Sequence, residues 1–236
     1  MTAPSDRKER LCPQEAFWTY EDLALFLGSV LPIYILSAIL LRLAHLASEA
    51  VNALIFQSLI YGLLTAILYI LIAGRHGQPF WRSLGWTFAF RGGWICLPAG
   101  PVLAVATAKL GEWLHAPAIP SPLEGLISDR RSLIVLMIFV TLLGPIWEEL
   151  LFRGFLFPLL AKSVGPWLGI VLSAIPFALL HGAQNQWSWQ YVLLIFVAGC
   201  VFGFARFKTG STVAAAIVHA GYNTLYAVGF LIQRIQ

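Results

Sequence analysis

The sequence predicts an all-α fold, a polytopic transmembrane helical bundle of seven or eight spans, and three observations carry that prediction. Hydrophobic residues make up 59% of the 236 positions and charged residues only 11%, where an ordinary soluble domain carries about 25% charged residues. Mean hydropathy is +0.79, so a soluble domain of this length would expose apolar surface on a scale that promotes aggregation. The apolar residues also fall into runs of the length that crosses a bilayer, about 20 residues. Basic residues stand at the ends of these runs, as topology signals do. The net charge of +4 is therefore read as membrane topology, and nucleic acid is excluded as a partner.

The elements follow in order. Residues 1–22 form a polar N-terminal segment with Arg7, Lys8 and Arg10. Leu23–Leu43 is the first span, long enough to cross and read as an uncleaved first helix rather than a signal peptide. Val51–Ala73 is the second, and a polar loop with Arg75, Arg82 and Arg91 follows it. Trp94–Lys109 is short and interrupted by Pro98 and Pro101, which predicts a kinked or partial span. Gly111–Arg131 is a Pro-rich connection. Ser132–Ala161 is apolar for about 30 residues, too long for one perpendicular span. Gly144-Pro145 interrupts it, and a true turn there would raise the count from seven to eight. Pro166–His181, Trp189–Phe207 and Thr212–Gln233 complete the set. The chain thus divides into residues 1–22, the spans and loops of 23–131, and a C-terminal membrane core over 132–236. Loop charges place the N-terminus inside, and the expected location is the cell membrane, as a multi-pass protein.

Cys12, Cys96 and Cys200 are odd in number and far apart. They form neither a C-x-x-C motif nor a disulfide framework.

Ionisable residues inside the apolar runs are functional hypotheses by default. Trp147-Glu148-Glu149-Leu150-Leu151-Phe152-Arg153 lies within the long C-terminal run. Each carboxylate at a helix centre costs roughly 2.5–3.5 kcal/mol on insertion scales. Glu149 and Arg153 are i,i+4 and can pair. Glu148 is rotated about 100° from Glu149, off the Arg153 face, so one carboxylate is compensated and the other is left for chemistry. An ion-pair staple at a membrane interface would account for Glu149 and Arg153 but give Glu148 no purpose. Phe177 and His181 are i,i+4 at the end of one span, and His219 and Asn223 are i,i+4 on the last. Singly, each of these has a bland reading, a satisfied histidine or an asparagine joining two helices.

Depth joins them. With Lys162–Pro166 as a hairpin turn, Glu148 and His181 lie roughly 24–26 Å from it on either arm. With Lys208–Gly210 as the next turn on the same side, His219 and Asn223 lie roughly 15 and 21 Å above it. Four polar side chains from three spans then fall within about 10 Å of one depth.

A carboxylate, two imidazoles and a carboxamide suit hydrolysis. Glu148 can take a proton from water, and apolar surroundings make a carboxylate a stronger base. His181 can orient that water. His219 and Asn223 can donate to an oxyanion. No Gly-x-Ser-x-Gly supports a serine mechanism. Glu148, His181 and His219 could instead hold one divalent metal such as zinc, although the His-Glu-x-x-His signature is absent. The balance leans slightly to no metal, because Asn223 is a poor ligand.

Glu148-Glu149-x-x-x-Arg153, Phe177-x-x-x-His181 and His219-x-x-x-Asn223, with Glu-Glu-Leu-Leu-Phe-Arg-Gly at Glu148–Gly154, resemble the three motifs of the CPBP family. This is the family of type II CAAX prenyl endopeptidases and bacteriocin-processing or self-immunity (Abi) proteins. The resemblance covers about Ser132–Leu231. It implies an intramembrane endopeptidase acting on a membrane-bound peptide or protein, prenylated or bacteriocin-like. It implies Glu148 as base, His181 as its water-activating partner, and His219 and Asn223 as oxyanion donors or ligands. Glu149 and Arg153 would support the site. The family includes members described as metalloproteases and as glutamate proteases, so the metal stays open.

Three other classes compete. A transporter or proton channel would use Glu148, His181 and His219 as a relay. A haem protein would use His181 and His219 as axial ligands. A scaffold or immunity protein would bind a partner without catalysis. The oligomeric state is not legible in the sequence.

Overall fold

A computed structural model describes residues 16–44, 49–88, 93–120 and 124–235. Arg7, Lys8, Arg10, Cys12 and Arg91 lie outside the described residues. Every regular element among the described residues is helical. In chain order they are α1 (Tyr20–Ala44), α2 (Glu49–Tyr69), α3 (Phe80–Ser83), α4 (Gly93–Trp113), α5 (Arg130–Ile138), α6 (Gly144–Glu149), α7 (Phe157–Val164), α8 (Pro166–Leu180), α9 (Trp189–Thr209) and α10 (Thr212–Ile235). Wider, π-helical turns extend α2 over Ile70–Arg75, join α5 to α6 over Phe139–Leu143, and join α6 to α7 over Leu150–Leu156.

Six helical stretches among the described residues are long and apolar enough to cross a membrane: Tyr20–Leu43, Val51–Arg75, Gly93–Trp113, Arg130–Val164, Trp189–Thr209 and Thr212–Arg234. The shorter apolar helix Pro166–Leu180 makes the seventh of the expected set. Gly144-Pro145 is not a turn. The Gly144 N–H reaches back five residues to Phe139 O, and this wider turn lets the helix continue past a proline that would otherwise break it. Helix α4 likewise continues through Pro98 and Pro101 to 21 residues, longer than the partial span expected. Prolines are tolerated in membrane helices where neighbouring groups take up the freed carbonyls.

The chain divides into two compact units. One contains Trp18–Phe80 and Pro120–Trp147. In it α1 and α2 run antiparallel, which brings Arg75 Nη2 to 2.9 Å from Glu21 Oε2 and His76 Nε2 to 3.0 Å from Asp22 Oδ2. Asp129 caps α5: it accepts the Ser132 N–H at 2.7 Å, and its own N–H donates to Ser132 Oγ at 3.0 Å, a capping box. The Ser132 N–H, with the Ser132 hydroxyl second, holds the Asp129 carboxyl below the usual carboxylate range.

The other unit contains Trp81–Ile119 and Glu148–Gln236 and carries the polar constellation. Helices α4 and α10 approach through two glycines. A Cβ on Gly100 would lie 2.6 Å from Tyr222 N, and one on Gly221 would lie 3.0 Å from Pro101 Cδ. Small residues at such crossings let membrane helices pack backbone to backbone. Trp94 and Trp113 are both exposed and mark the two ends of α4, about 29 Å apart along its axis, close to the thickness of a hydrocarbon core. The Leu84-Gly85 turn is tied to the start of α10, with Thr212 Oγ1 donating to Leu84 O at 2.5 Å and Thr212 N to Gly85 O at 2.9 Å.

Two outcomes test this packing. Gly100→Ala forces its methyl against the α10 backbone and should destabilise the protein by about 1–3 kcal/mol, the usual cost of overpacking. Unfolding of the detergent-purified variant at the wild-type temperature would contradict the close crossing. The Asp129 cap has a depressed folded-state pKa, so its contribution is complete at neutral pH and lost as pH falls through that value. Protection of the first-turn amides of α5, taken relative to the intrinsic exchange rate at each pH, should fall on acidification in the wild type but not in Asp129→Asn.

Candidate active site

Helix α6 ends in Glu148 and Glu149, and the π-helical turn that follows carries Arg153. Phe177 lies in the last turn of α8, and His181 is the residue that ends that helix. His219 and Asn223 stand one turn apart on α10. The seven residues picked from the sequence thus sit on three helical segments of one unit.

The centre is a buried carboxylate. Arg153 Nη1 and His219 Nδ1 both lie 2.9 Å from Glu149 Oε1. The pairing of Glu149 with Arg153 follows their i,i+4 spacing, but the bond from His219 was not expected. Arg153 also donates from Nη2 to Gly199 O on α9 at 2.7 Å. Its guanidinium lies 4.5 Å from the Phe177 ring and 5.4 Å from Phe202, cation–π contacts that are strongest where water is excluded. Any side chain at position 199 would crowd this arrangement, since a Cβ there would lie 3.1 Å from both Arg153 Nη2 and Phe177 Cδ1. Phe202 stacks on the His219 ring at 4.4 Å and 17°, and Phe177 meets it edge-on at 5.7 Å. Two of these groups, Phe202 and Gly199, were missed in the sequence. Nothing local marks them, because they matter only by contact with residues on other helices.

The hydrogen bonds fix which ring nitrogens point inward. Glu149 Oε1 already accepts from Arg153, so the His219 Nδ1 beside it carries the proton and donates. His181 Nδ1 lies 2.7 Å from Phe177 O, a carbonyl that can only accept, so this nitrogen also donates. Asn185 Nδ2 donates to His181 O at 2.8 Å and steadies the helix end. Both Nε2 atoms are then turned toward Glu148. His181 Nε2 is 3.9 Å and His219 Nε2 3.8 Å from Glu148 Oε2. The side chains of His181 and Glu148 keep 23% and 17% of their exposure, while those of Glu149 and Arg153 have none. The constellation therefore has an accessible edge at His181 and Glu148 and a closed floor at Glu149 and Arg153. Asn223 is half-buried.

Glu148 Oε2 stands at 3.9 Å and 3.8 Å from the two Nε2 atoms, separations that one water can bridge. The donor types are also those of a catalytic zinc set. Among the described residues, however, no three such side chains stand at metal-binding spacing. Ligands of one tetrahedral zinc lie about 3.4 Å apart, so the three groups would have to draw closer to share a metal.

Residues 130–225 match the family model described as type II CAAX prenyl endopeptidase, Rce1-like, a stretch that includes all seven site residues. The chain is 30% identical over 96 residues to the UPF0177 protein YbdI of Lactococcus lactis subsp. lactis (strain IL1403), covering 40% of this chain and 49% of that protein. It is 26% identical over 129 residues to an uncharacterized 24.3 kDa protein of Escherichia coli, covering 52% of this chain and 58% of that one. The chain thus spans about half the length of the curated relatives it matches. No solved structure matches it.

Removing one partner of a buried ion pair strands the other charge and costs about 3–5 kcal/mol. Arg153→Ala should accordingly lower both the yield of folded protein and its unfolding temperature in detergent. Wild-type values for both would mean that Glu149 does not depend on Arg153.

Proposed function

We propose that this integral, multi-pass membrane protein is an endopeptidase that hydrolyses a peptide bond of a membrane-associated substrate, a reading supported by the match of residues 130–225 to the type II CAAX prenyl endopeptidase, Rce1-like, family model. The expected substrates are prenylated or bacteriocin-like peptides, and the expected location is the plasma membrane. The observation that supports this reading best is the placement of Glu148 Oε2 3.9 Å and 3.8 Å from the Nε2 atoms of His181 and His219.

Glu148 and His181 share one water, which donates a hydrogen to each. Glu148 takes its proton as the oxygen attacks the substrate carbonyl, a general-base step. Charge then develops on the carbonyl oxygen, and donors aimed at that position lower the barrier. The Asn223 carboxamide is one such donor. His219 is the other, and it donates from Nε2 only when both its ring nitrogens are protonated, because the Nδ1–H is committed to Glu149. Glu148 returns the proton to the departing amine as the C–N bond breaks. If a divalent metal is bound, Glu148, His181 and His219 would hold it, and it would polarise the carbonyl and acidify the water. The steps above are carried by the chain's own groups, and we propose a reaction that needs no metal.

Glu148→Gln keeps the shape and removes the proton acceptor. It should leave the protein folded and lower processing of a membrane peptide by at least about a hundredfold, the low end for loss of a general base. Near-normal cleavage by this variant would remove Glu148 as the base. In the same assay, activity abolished by a chelator and restored by zinc would overturn the metal-free reading.

A further inference from the structure

Arg206 lies outside the three motifs, near the end of α9, where the sequence suggests an ordinary interfacial cation. The structure buries it completely. Its Nε donates to Arg153 O at 3.2 Å, and Nη1 and Nη2 have no hydrogen-bond partner among the described residues. A charge held in this way requires a structural reason.

The reason lies in the π-helical turn Leu150–Leu156. In an α-helix the Arg153 carbonyl would accept the N–H of Phe157, four residues on. Here the Phe157 N–H is taken by Phe152 O, five residues back. The corresponding five-residue partner for Arg153 O is position 158, and position 158 is proline, which has no N–H. The widened turn and Pro158 together leave the Arg153 carbonyl without a donor along its own helix. A backbone carbonyl in the interior of a membrane protein must be satisfied from elsewhere, and Arg206 satisfies it from α9. The guanidinium rests on Gly85, which has a left-handed φ of +67° and where a Cβ would lie 2.8 Å from Arg206 Cζ. Gly85 is in turn bonded to Thr212 at the start of α10.

The geometry points to Arg206 as a positioning residue of the candidate active site. It supplies the donor that the π-helical turn lacks, and so fixes the turn that aims Arg153 at Glu149 and, through Glu149, orients His219. Its link to catalysis rests on the peptidase reading, but its link to His219 does not.

The full chain, labelled with 15N-histidine and purified in detergent, gives a readout that needs no substrate: the His219 Nδ1–H resonance, assigned by its loss in His219→Gln. Arg206→Met should abolish or strongly shift this resonance. Pro158→Ala restores an N–H where Arg153 O can reach it, so the double variant Arg206→Met/Pro158→Ala should recover the signal. If Arg206→Met does not fold, the double variant should recover folded yield. An unchanged resonance in Arg206→Met would overturn the inference, as would a double variant that recovers neither signal nor yield. Where peptide cleavage is measurable, Arg206→Met should lower kcat by about a hundredfold, as small misplacements of a catalytic group do, with KM unchanged. An intact resonance pattern in a wild-type protein that cleaves nothing would fail the peptidase reading alone.

Discussion

A single carboxylate oxygen, Glu149 Oε1, receives both the Arg153 guanidinium and the His219 imidazole at 2.9 Å. A lone carboxylate in this environment would be costly, and so would a lone guanidinium. Each is tolerable only because of the other, and the geometry that satisfies them is narrow. Arg153 must reach Glu149 and the Gly199 carbonyl at once. His219 must turn its Nδ1 inward to complete the carboxylate. The outward-facing Nε2 of His219, the part a reaction would use, is therefore a by-product of satisfying a buried charge. His181 arrives at the same ring orientation by a cheaper route, a bond to the Phe177 carbonyl one turn back on its own helix.

The two π-helical turns on either side of Glu148 and Glu149 play parallel roles in the covalent chain. Each widens the helix by one residue, and each is associated with a proline. Before Pro145, the Gly144 N–H reaches back to Phe139 O and the helix continues. Before Pro158, the Phe157 N–H reaches back to Phe152 O and a carbonyl is left over. π-helical turns concentrate at functional sites, and the second one shows a physical basis for that. The turn that carries Arg153 leaves its carbonyl without a donor on its own helix, and a buried guanidinium on another helix supplies one.

Much of the architecture was legible in the sequence because a membrane restricts the choices. Long apolar runs have to be helices, and their ends follow from charge and length. The i,i+4 pairs could be read from helical geometry alone, and depth arithmetic was enough to bring Glu148, His181 and His219 together. The rest was hidden for identifiable reasons. Gly144-Pro145 reads as a break because a proline in a regular α-helix is one, and nothing local announces the wider turn that absorbs it. The bond from His219 to Glu149 joins residues 70 positions apart, beyond the reach of any periodicity. Phe202 and Gly199 look like generic membrane residues, and Arg206 looks like a snorkelling interfacial cation until its burial is known.

In the proposed reaction the adjacent carboxylates divide two tasks that would conflict in one residue. A base must change its protonation during turnover, and a structural anion must not. Glu149 is sealed and engaged by two donors, so its loss would disturb Arg153 and His219 together. Glu148 keeps some exposure and faces ring nitrogens at 3.8–3.9 Å, too far for direct hydrogen bonds and suited to a mobile water. The buried ion pair and the proposed base are thereby separated by one residue, a rotation of about 100° on the helix. Exchanging the two side-chain environments would put the proposed base in the floor of the fold, where each protonation would cancel the charge that holds Arg153. The order Glu-Glu, with the structural anion four residues before the arginine, is thus required by geometry: only the second position of the pair lies on the arginine's face.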